Sequence, residues 1–432
     1  MSSLAIGLTG IGGMLILLFL RQPVWLTLLL CGVVGNIVMN NGKVAQMVAA
    51  TNVFDTSYNY GLSVIPLFIL MGEVATRSRM SAELFAAARV LLTGVRGGLP
   101  IATIAASGAF GAICGSSVAT AAAMTRIALP EMRKAGYEDG YAAASIAAGG
   151  SLGILIPPSV ILLIYASIAE VSIARLFAAS MIPGIVLMLV YIAVAVVLAR
   201  KAQPRNPDLP VSILTRVRAL LGPWQFVLLF VLTIGGIYTG IFSPNEAAAI
   251  GAFGAIVLGL AQRSLTLAHL VDAIQRSVII SCVLFMVIIG ATVFANFVVQ
   301  TRMPDLLLAA AADANMSAAA VMGIIILAYI VMGCFLEGIG MVLITVPVFL
   351  PVVVGFGFDP IWFGVLVTIL VELGLLTPPV GMNLFIIKSQ VPDMKMRVLY
   401  NGILPFLIAP LIVIALMFSV PEIATWLPDR LF

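Results

Sequence analysis

The feature that most constrains this chain is a motif written twice in apolar surroundings. Leu152-Gly153-Ile154-Leu155-Ile156-Pro157-Pro158 returns 221 residues further on as Leu373-Gly374-Leu375-Leu376-Thr377-Pro378-Pro379. Proline has no backbone N–H and its ring clashes with the preceding turn, so a proline pair inside an apolar run breaks a helix. The same offset aligns Pro23 with Pro244, Leu129-Pro130 with Leu350-Pro351, and Gly136-Tyr137-Glu138 with Gly357-Phe358-Asp359, without a gap. A constant offset over most of each half implies an internal duplication. Helices broken in mid-span at corresponding places in two halves point to a secondary transporter, where such breaks hold substrate and coupling ions.

Composition names the solvent. With 62% hydrophobic and 9% charged residues and a mean hydropathy of +1.19, the chain has too little charge for a soluble surface and is an integral membrane protein. Residues 4–20 lack the basic leader and small-residue cleavage site of a signal peptide and are kept as a helix. Cys31, Cys114, Cys282 and Cys334 lie in apolar stretches with no CxxC or paired spacing, which argues against disulfides and metal sites.

Runs between breakers give five crossings per half: 4–20, 23–41, 61–78, a broken one at 140–169 and 174–199, then 223–242, 246–262, 277–300, a broken one at 360–388 and 399–419. Between the third and fourth crossing of each half lies an apolar stretch, 98–132 or 318–353, interrupted at Gly115-Ser116-Ser117 or Glu337-Gly338. Limbs of about 13 residues reach roughly 20 Å, short of the roughly 30 Å hydrocarbon core, so both stretches are expected to be re-entrant hairpins. Each half then crosses an odd number of times and the repeats are inverted. The expected fold is an all-α integral membrane protein with about 10–12 transmembrane helices and two re-entrant hairpins. Its units are 1–200, a cytoplasmic linker 201–222, and 223–432.

This topology places 18 of the 22 Lys and Arg residues on one side and leaves Lys43, Arg175, Arg302 and Arg430 on the other. The positive-inside rule makes the rich side cytoplasmic and puts both termini outside. Segments 43–57 and 263–275 are expected to be amphipathic arms at the interface. The polar stretch from Arg200 to Arg218, with Pro204, Pro207 and Pro210, is expected to be a basic tether that fixes orientation.

Three separated motifs carry a resemblance that spans the chain: Gly111-Ala112-Ile113-Cys114-Gly115-Ser116-Ser117-Val118-Ala119-Thr120, the stretch from Gly153 to Ser159, and Gly240-Ile241-Phe242-Ser243-Pro244-Asn245-Glu246-Ala247-Ala248-Ala249. The chain resembles the large membrane subunit of a TRAP (tripartite ATP-independent periplasmic) transporter. The resemblance implies sodium-driven import of an organic acid of the dicarboxylate or sialic-acid class by an elevator mechanism in a bacterial inner membrane. It also implies a small membrane subunit and a periplasmic substrate-binding protein as partners, beside membrane lipid. The nearly all-apolar segments 23–41, 174–199, 246–262 and 399–419 are expected to form the static scaffold.

At a helix break, freed carbonyls can coordinate a cation, while the N-terminus of the resuming helix offers N–H groups to an anion. One sodium site is expected from Gly115, Ser116, Ser117, Gly153, Ile156 and Pro158. Its counterpart is expected from Gly333, Glu337, Gly338, Thr377, Pro378, Gly381 and Met382. Substrate contacts are assigned to Ser116, Ser117, Thr120 and Asn383. For Ser116 and Ser117 the plain alternative is helix capping, and Asn383 could equally bond neighbouring backbone. Glu337 and Glu372 are the carboxylates nearest the second site, and His269 is an interfacial residue. No Ser-His-Asp set, metal-ligand cluster or phosphate-binding glycine loop suggests an enzyme, and nothing suggests a nucleic-acid partner. The competing function is a stand-alone carboxylate symporter without a binding protein.

Overall fold

The computed structural model describes residues 3–199 and 212–432, in which all regular structure is helical. Residues 200–211 of the expected tether lie outside the described residues. Helices α1 (Ser3–Phe19) and α2 (Val24–Met39) flank Pro23. Helix α3 (Gly42–Tyr58) starts where the Asn41 side chain accepts from the Val44 N–H at 3.0 Å. A 3₁₀ turn leads into α4 (Val64–Arg77), followed by α5 (Met80–Leu91). Helices α6 (Gly98–Cys114) and α7 (Ser117–Lys134) meet at Gly115-Ser116. Next, α8 (Asp139–Ser151) and α9 (Val160–Ile168) are separated by the first proline pair, and α10 (Ile173–Ala199) closes the half.

The second half opens with α11 (Ile213–Leu220), then α12 (Trp224–Phe230), which runs through a π-helical turn into α13 (Gly236–Tyr238). Helix α14 (Pro244–Ala261) begins with a reciprocal capping box between Ser243 and Glu246. The long α15 (Leu267–Gln300) and α16 (Met303–Asp313) precede α17 (Ala318–Gly333) and α18 (Gly338–Gly355). Helices α19 (Pro360–Leu376) and α20 (Met382–Gln390) flank the second proline pair, and α21 (Met396–Ile403), α22 (Ile408–Ser419) and α23 (Glu422–Leu431) end the chain.

Six of the described segments are long and apolar enough to cross a membrane: Tyr60–Arg77, α10, α14, α15, α18 and Met396–Ser419, with α11 to α13 a seventh if its bent pair is one span. Helices α1, α2, α6, α17 and α19 are apolar but have only 16 or 17 residues each. The limbs meeting at Gly115 and Glu337 contain 16 to 18 residues, or about 24–27 Å at 1.5 Å per residue. They exceed the expected 13; Pro130 lies inside α7, and Pro347 and Pro351 lie inside α18, rather than ending them. Limb length therefore does not by itself mark these segments as re-entrant.

Residues from Leu267 onward in the expected arm 263–275 are the first turns of the continuous 34-residue α15. The segments expected as scaffold divide in two by their packing. Helix α2 packs most extensively on α15, and α14 on α4. A Cβ on Gly290 would fall 2.6 Å from the Trp25 carbonyl oxygen, so α15 touches α2 backbone to backbone. Helices α10, α21 and α22 instead pack around the broken helices α8, α9 and α19. Apolarity could not make this distinction, because lipid-facing and protein-facing helix surfaces are alike apolar.

Candidate functional site

The first site grows from a capped tip set against a broken helix. Gly115 ends α6 with φ +64°, and a Cβ there would lie 2.9 Å from the Pro158 carbonyl oxygen. Only a residue without a side chain permits both the left-handed turn and the approach. The tip resumes as α7 with the Ser116 hydroxyl accepting from the Ala119 N–H at 3.3 Å, so Ser116 is an N-cap. Behind the tip, a Cβ on Gly111 would fall 2.5 Å from the Gly153 Cα, which places α6 against the break. A Cβ on Gly153 would in turn meet the Thr120 hydroxyl at 3.0 Å and the Ser116 carbonyl oxygen at 3.1 Å. The Thr120 hydroxyl is buried without a hydrogen-bond partner. Ile156 is buried and packs against Gly184 of α10.

The second site repeats this arrangement. A Cβ on Gly374 would fall 2.7 Å from the Gly333 Cα, so the end of α17 lies on the break of α19. Glu337, 221 residues beyond Ser116, is likewise an N-cap, its carboxylate accepting from the Gly340 N–H at 3.3 Å. The Pro157-Pro158 and Pro378-Pro379 peptide bonds are both cis. Thr377 donates its hydroxyl to the Leu373 carbonyl at 2.6 Å. Gly381 has φ +60° and leads into α20 at Met382.

Asn383 joins the halves. Its Oδ1 accepts from the Ser117 hydroxyl at 2.8 Å, and its Nδ2 donates to the Ala147 carbonyl of α8 at 3.3 Å. Ser117 is therefore committed to a partner 266 residues away rather than to capping α7. In this conformation the Asn383 amide is used by the protein at both ends.

Gly115, Ser116, Ser117, Glu337, Gly338 and Met382 line one cavity of about 210 Å³. Thr120, Gly153, Ile156, Pro158, Gly333, Thr377, Pro378, Gly381 and Asn383 do not line it. Several of these sit behind its wall, where the geometry above holds the lining in place. Sequence reasoning missed the third wall, formed by Gly72 and Glu73 of α4 and Ile280 and Leu284 of α15. No local signal marked it, because Gly72 matters through the backbone it meets: a Cβ there would fall 2.6 Å from the Cys114 carbonyl oxygen. Glu73 pairs with Arg77, which also holds Asp272 of α15 at 2.7 Å. Glu372 is fully buried on α19, and neither carboxylate oxygen has a hydrogen-bond partner. His269 is exposed in the first turn of α15.

Two broken helices meeting two capped tips beside one cavity, in a multi-pass helical protein, define a membrane permease. Comparison with known proteins gives the family: residues 11–423 match the one described as "Tripartite ATP-independent periplasmic transporter, DctM component", and the chain belongs to it. The C4-dicarboxylate TRAP transporter large permease of Pseudomonas aeruginosa is 33% identical over 88% of this chain and 89% of its own length. The ectoine/5-hydroxyectoine TRAP large permease of Ruegeria pomeroyi is 32% identical over 97% of this chain and 98% of its own. The sialic acid TRAP large permease of Vibrio cholerae is 31% identical over 96% and 97%. Among solved structures, the Alcanivorax borkumensis YdaH transporter shares the fold, with a TM-score of 0.60, 15% identity, and coverage of 95% of this chain and 99% of that one.

Proposed function

We propose that this chain is the permease of a sodium-coupled importer for a small organic acid, working by elevator-type alternating access in a bacterial inner membrane. The observation that carries this reading is the pairing of each tip with a helix break, Gly115 against Pro158 and Gly333 against Gly374. Broken helices at membrane depth expose carbonyl oxygens to a cation and N–H groups to an anion, the two requirements of coupled carboxylate transport. In this reading Gly115, Ser116, Ser117, Gly153, Ile156 and Pro158 serve one sodium ion. Gly333, Glu337, Gly338, Thr377, Pro378, Gly381 and Met382 serve another. Ser116, Ser117, Thr120 and Asn383 form the hydroxyl and amide wall that substrate meets once the tips part.

The moving unit comprises the inverted repeats' tips and broken helices, 98–132 with 140–169 and 318–353 with 360–388. Helices α2, α4, α14 and α15 are the frame against which it slides, and both chain ends face the periplasm. A small membrane subunit completes the frame and a periplasmic binding protein delivers the acid. The relatives' cargoes, C4-dicarboxylates, sialic acid and ectoine, set the size range.

The test is reconstitution of the chain with its small subunit in liposomes, scored for uptake of labelled organic acids with and without an inward sodium gradient and a cognate binding protein. Uptake requiring both is the expected result. Uptake indifferent to sodium would remove the two cation sites, and uptake without the binding protein would make the chain a stand-alone symporter.

A further inference from the structure

Helix α11 is left unused by the transport reading. It follows the undescribed stretch and precedes the crossing that begins at Trp224, from which it is bent by 42°. None of its residues is buried. Its apolar side chains are unusually open: Ile213 is 81% exposed, Leu214 60%, Val217 52% and Leu220 56%, followed by Leu221 at 69%. At about 100° per residue these positions form a single stripe about 120° wide. On the same wheel Arg216 and Arg218 fall on the two borders of the stripe. Apolar residues flanked by arginines are the pattern of a helix seated at the boundary between headgroups and acyl chains.

Two observations identify the occupant. Beyond the turn at 221–223 exposed apolar side chains resume at Trp224, Val227, Leu228 and Val231, on the face of the crossing itself. The medium that covers the crossing therefore also covers α11. The second is the Arg216 guanidinium, whose Nη2 donates to the Thr93 carbonyl at 3.0 Å while its Nε is buried with no partner. Arg218 is exposed on the other border. Two guanidinium groups bordering an apolar face on either side complement a phosphate-bearing headgroup whose chains lie along the stripe.

We propose that α11 is a binding site for anionic phospholipid, with Arg216 and Arg218 holding headgroup phosphates and the stripe from Ile213 to Leu221 lying among the acyl chains. The site tethers Thr93, in the connection between α5 and α6, to the membrane surface. Orientation would then be fixed by a defined lipid contact rather than by charge count alone.

The experiment is native mass spectrometry of the full-length chain with phosphatidylglycerol or phosphatidylcholine, for the natural sequence, Arg216→Gln, Arg218→Gln and the double variant. A basic residue at an anionic surface changes affinity about fivefold, so each single variant is expected to retain roughly fivefold less phosphatidylglycerol, with phosphatidylcholine unchanged. Arg216→Gln also removes the Thr93 contact. Should it fail to fold, Arg218→Gln, which leaves that contact in place, decides the matter. Equal phosphatidylglycerol retention by the natural chain and the folded variants overturns the proposal, as does parallel loss of both lipids. Thermal protection by inorganic phosphate equal to that by phosphatidylglycerol would also overturn it, because the site would then be one for a free anion.

Discussion

The Asn383 bridge permits a quantitative test of how the halves are joined. Asn383→Ala removes the acceptor of the Ser117 hydroxyl and the donor to the Ala147 carbonyl, whose bonds are 2.8 and 3.3 Å long. Both side chains are buried, Asn383 at 0% and Ser117 at 3% exposure. Orphaning a buried polar group costs about 1–3 kcal/mol, whereas side-chain hydrogen bonds inside membrane proteins average about 0.6 kcal/mol. The 3.3 Å bond is the weaker of the two, so about 2 kcal/mol is expected for Asn383→Ala and about 1 kcal/mol for Ser117→Ala. In the double variant the Ser117 bond is lost only once and neither of its partners is left behind. The double should therefore fall short of the sum by about 1 kcal/mol. Reversible unfolding of the four proteins in mixed micelles measures all terms of the cycle. Additivity within about 0.3 kcal/mol would show that the two side chains are not coupled, and the bridge would be withdrawn as a link between the repeats.

Further outcomes follow from the same geometry. Gly374→Ala places a methyl 2.7 Å from the Gly333 Cα; overpacking of backbone against backbone should cost about 1–3 kcal/mol and abolish uptake, and unimpaired uptake would mean that α17 and α19 need not touch. Ser116→Ala removes the cap of α7 at about 1 kcal/mol and, if its oxygen also serves sodium, should raise the sodium concentration for half-maximal uptake; an unchanged sodium curve leaves only the cap. Glu372→Met replaces a fully buried carboxylate that has no hydrogen-bond partner and is expected to raise the melting temperature, whereas a lowered one would reveal that the carboxylate is compensated in the native protein. Arg77→Gln cuts the tie between α4 and Asp272 and leaves the mostly buried Glu73 without its counter-charge, so unfolding in mixed micelles should show a loss above the roughly 1 kcal/mol of an exposed pair, and a smaller loss would show that Glu73 does not need Arg77.

The helix breaks were legible because proline chemistry is local: nothing distant is needed to predict that Pro157-Pro158 and Pro378-Pro379 end a helix. The cap at Ser116 was legible for the same reason. Limb lengths were underestimated because the apolar runs on both sides of each interruption are helical throughout, Pro130, Pro347 and Pro351 included. The Ser117–Asn383 pair lay beyond local reasoning, since polar side chains 266 residues apart are matched only by tertiary packing. The cavity wall at Gly72 and Glu73 escaped because α4 carries no break, and its glycine matters only through the backbone that approaches it.

One feature of α15 bears on how such a machine could be controlled. It runs from Leu267 to Gln300 without a break, and the same rod presents Asp272 to Arg77 near one end and Ile280 and Leu284 to the cavity further along. A rod without a joint cannot bend locally to absorb a push. With no break between the two places, a displacement of the first turns is expected to reach the cavity wall, and a cargo widening the cavity to be felt at those turns.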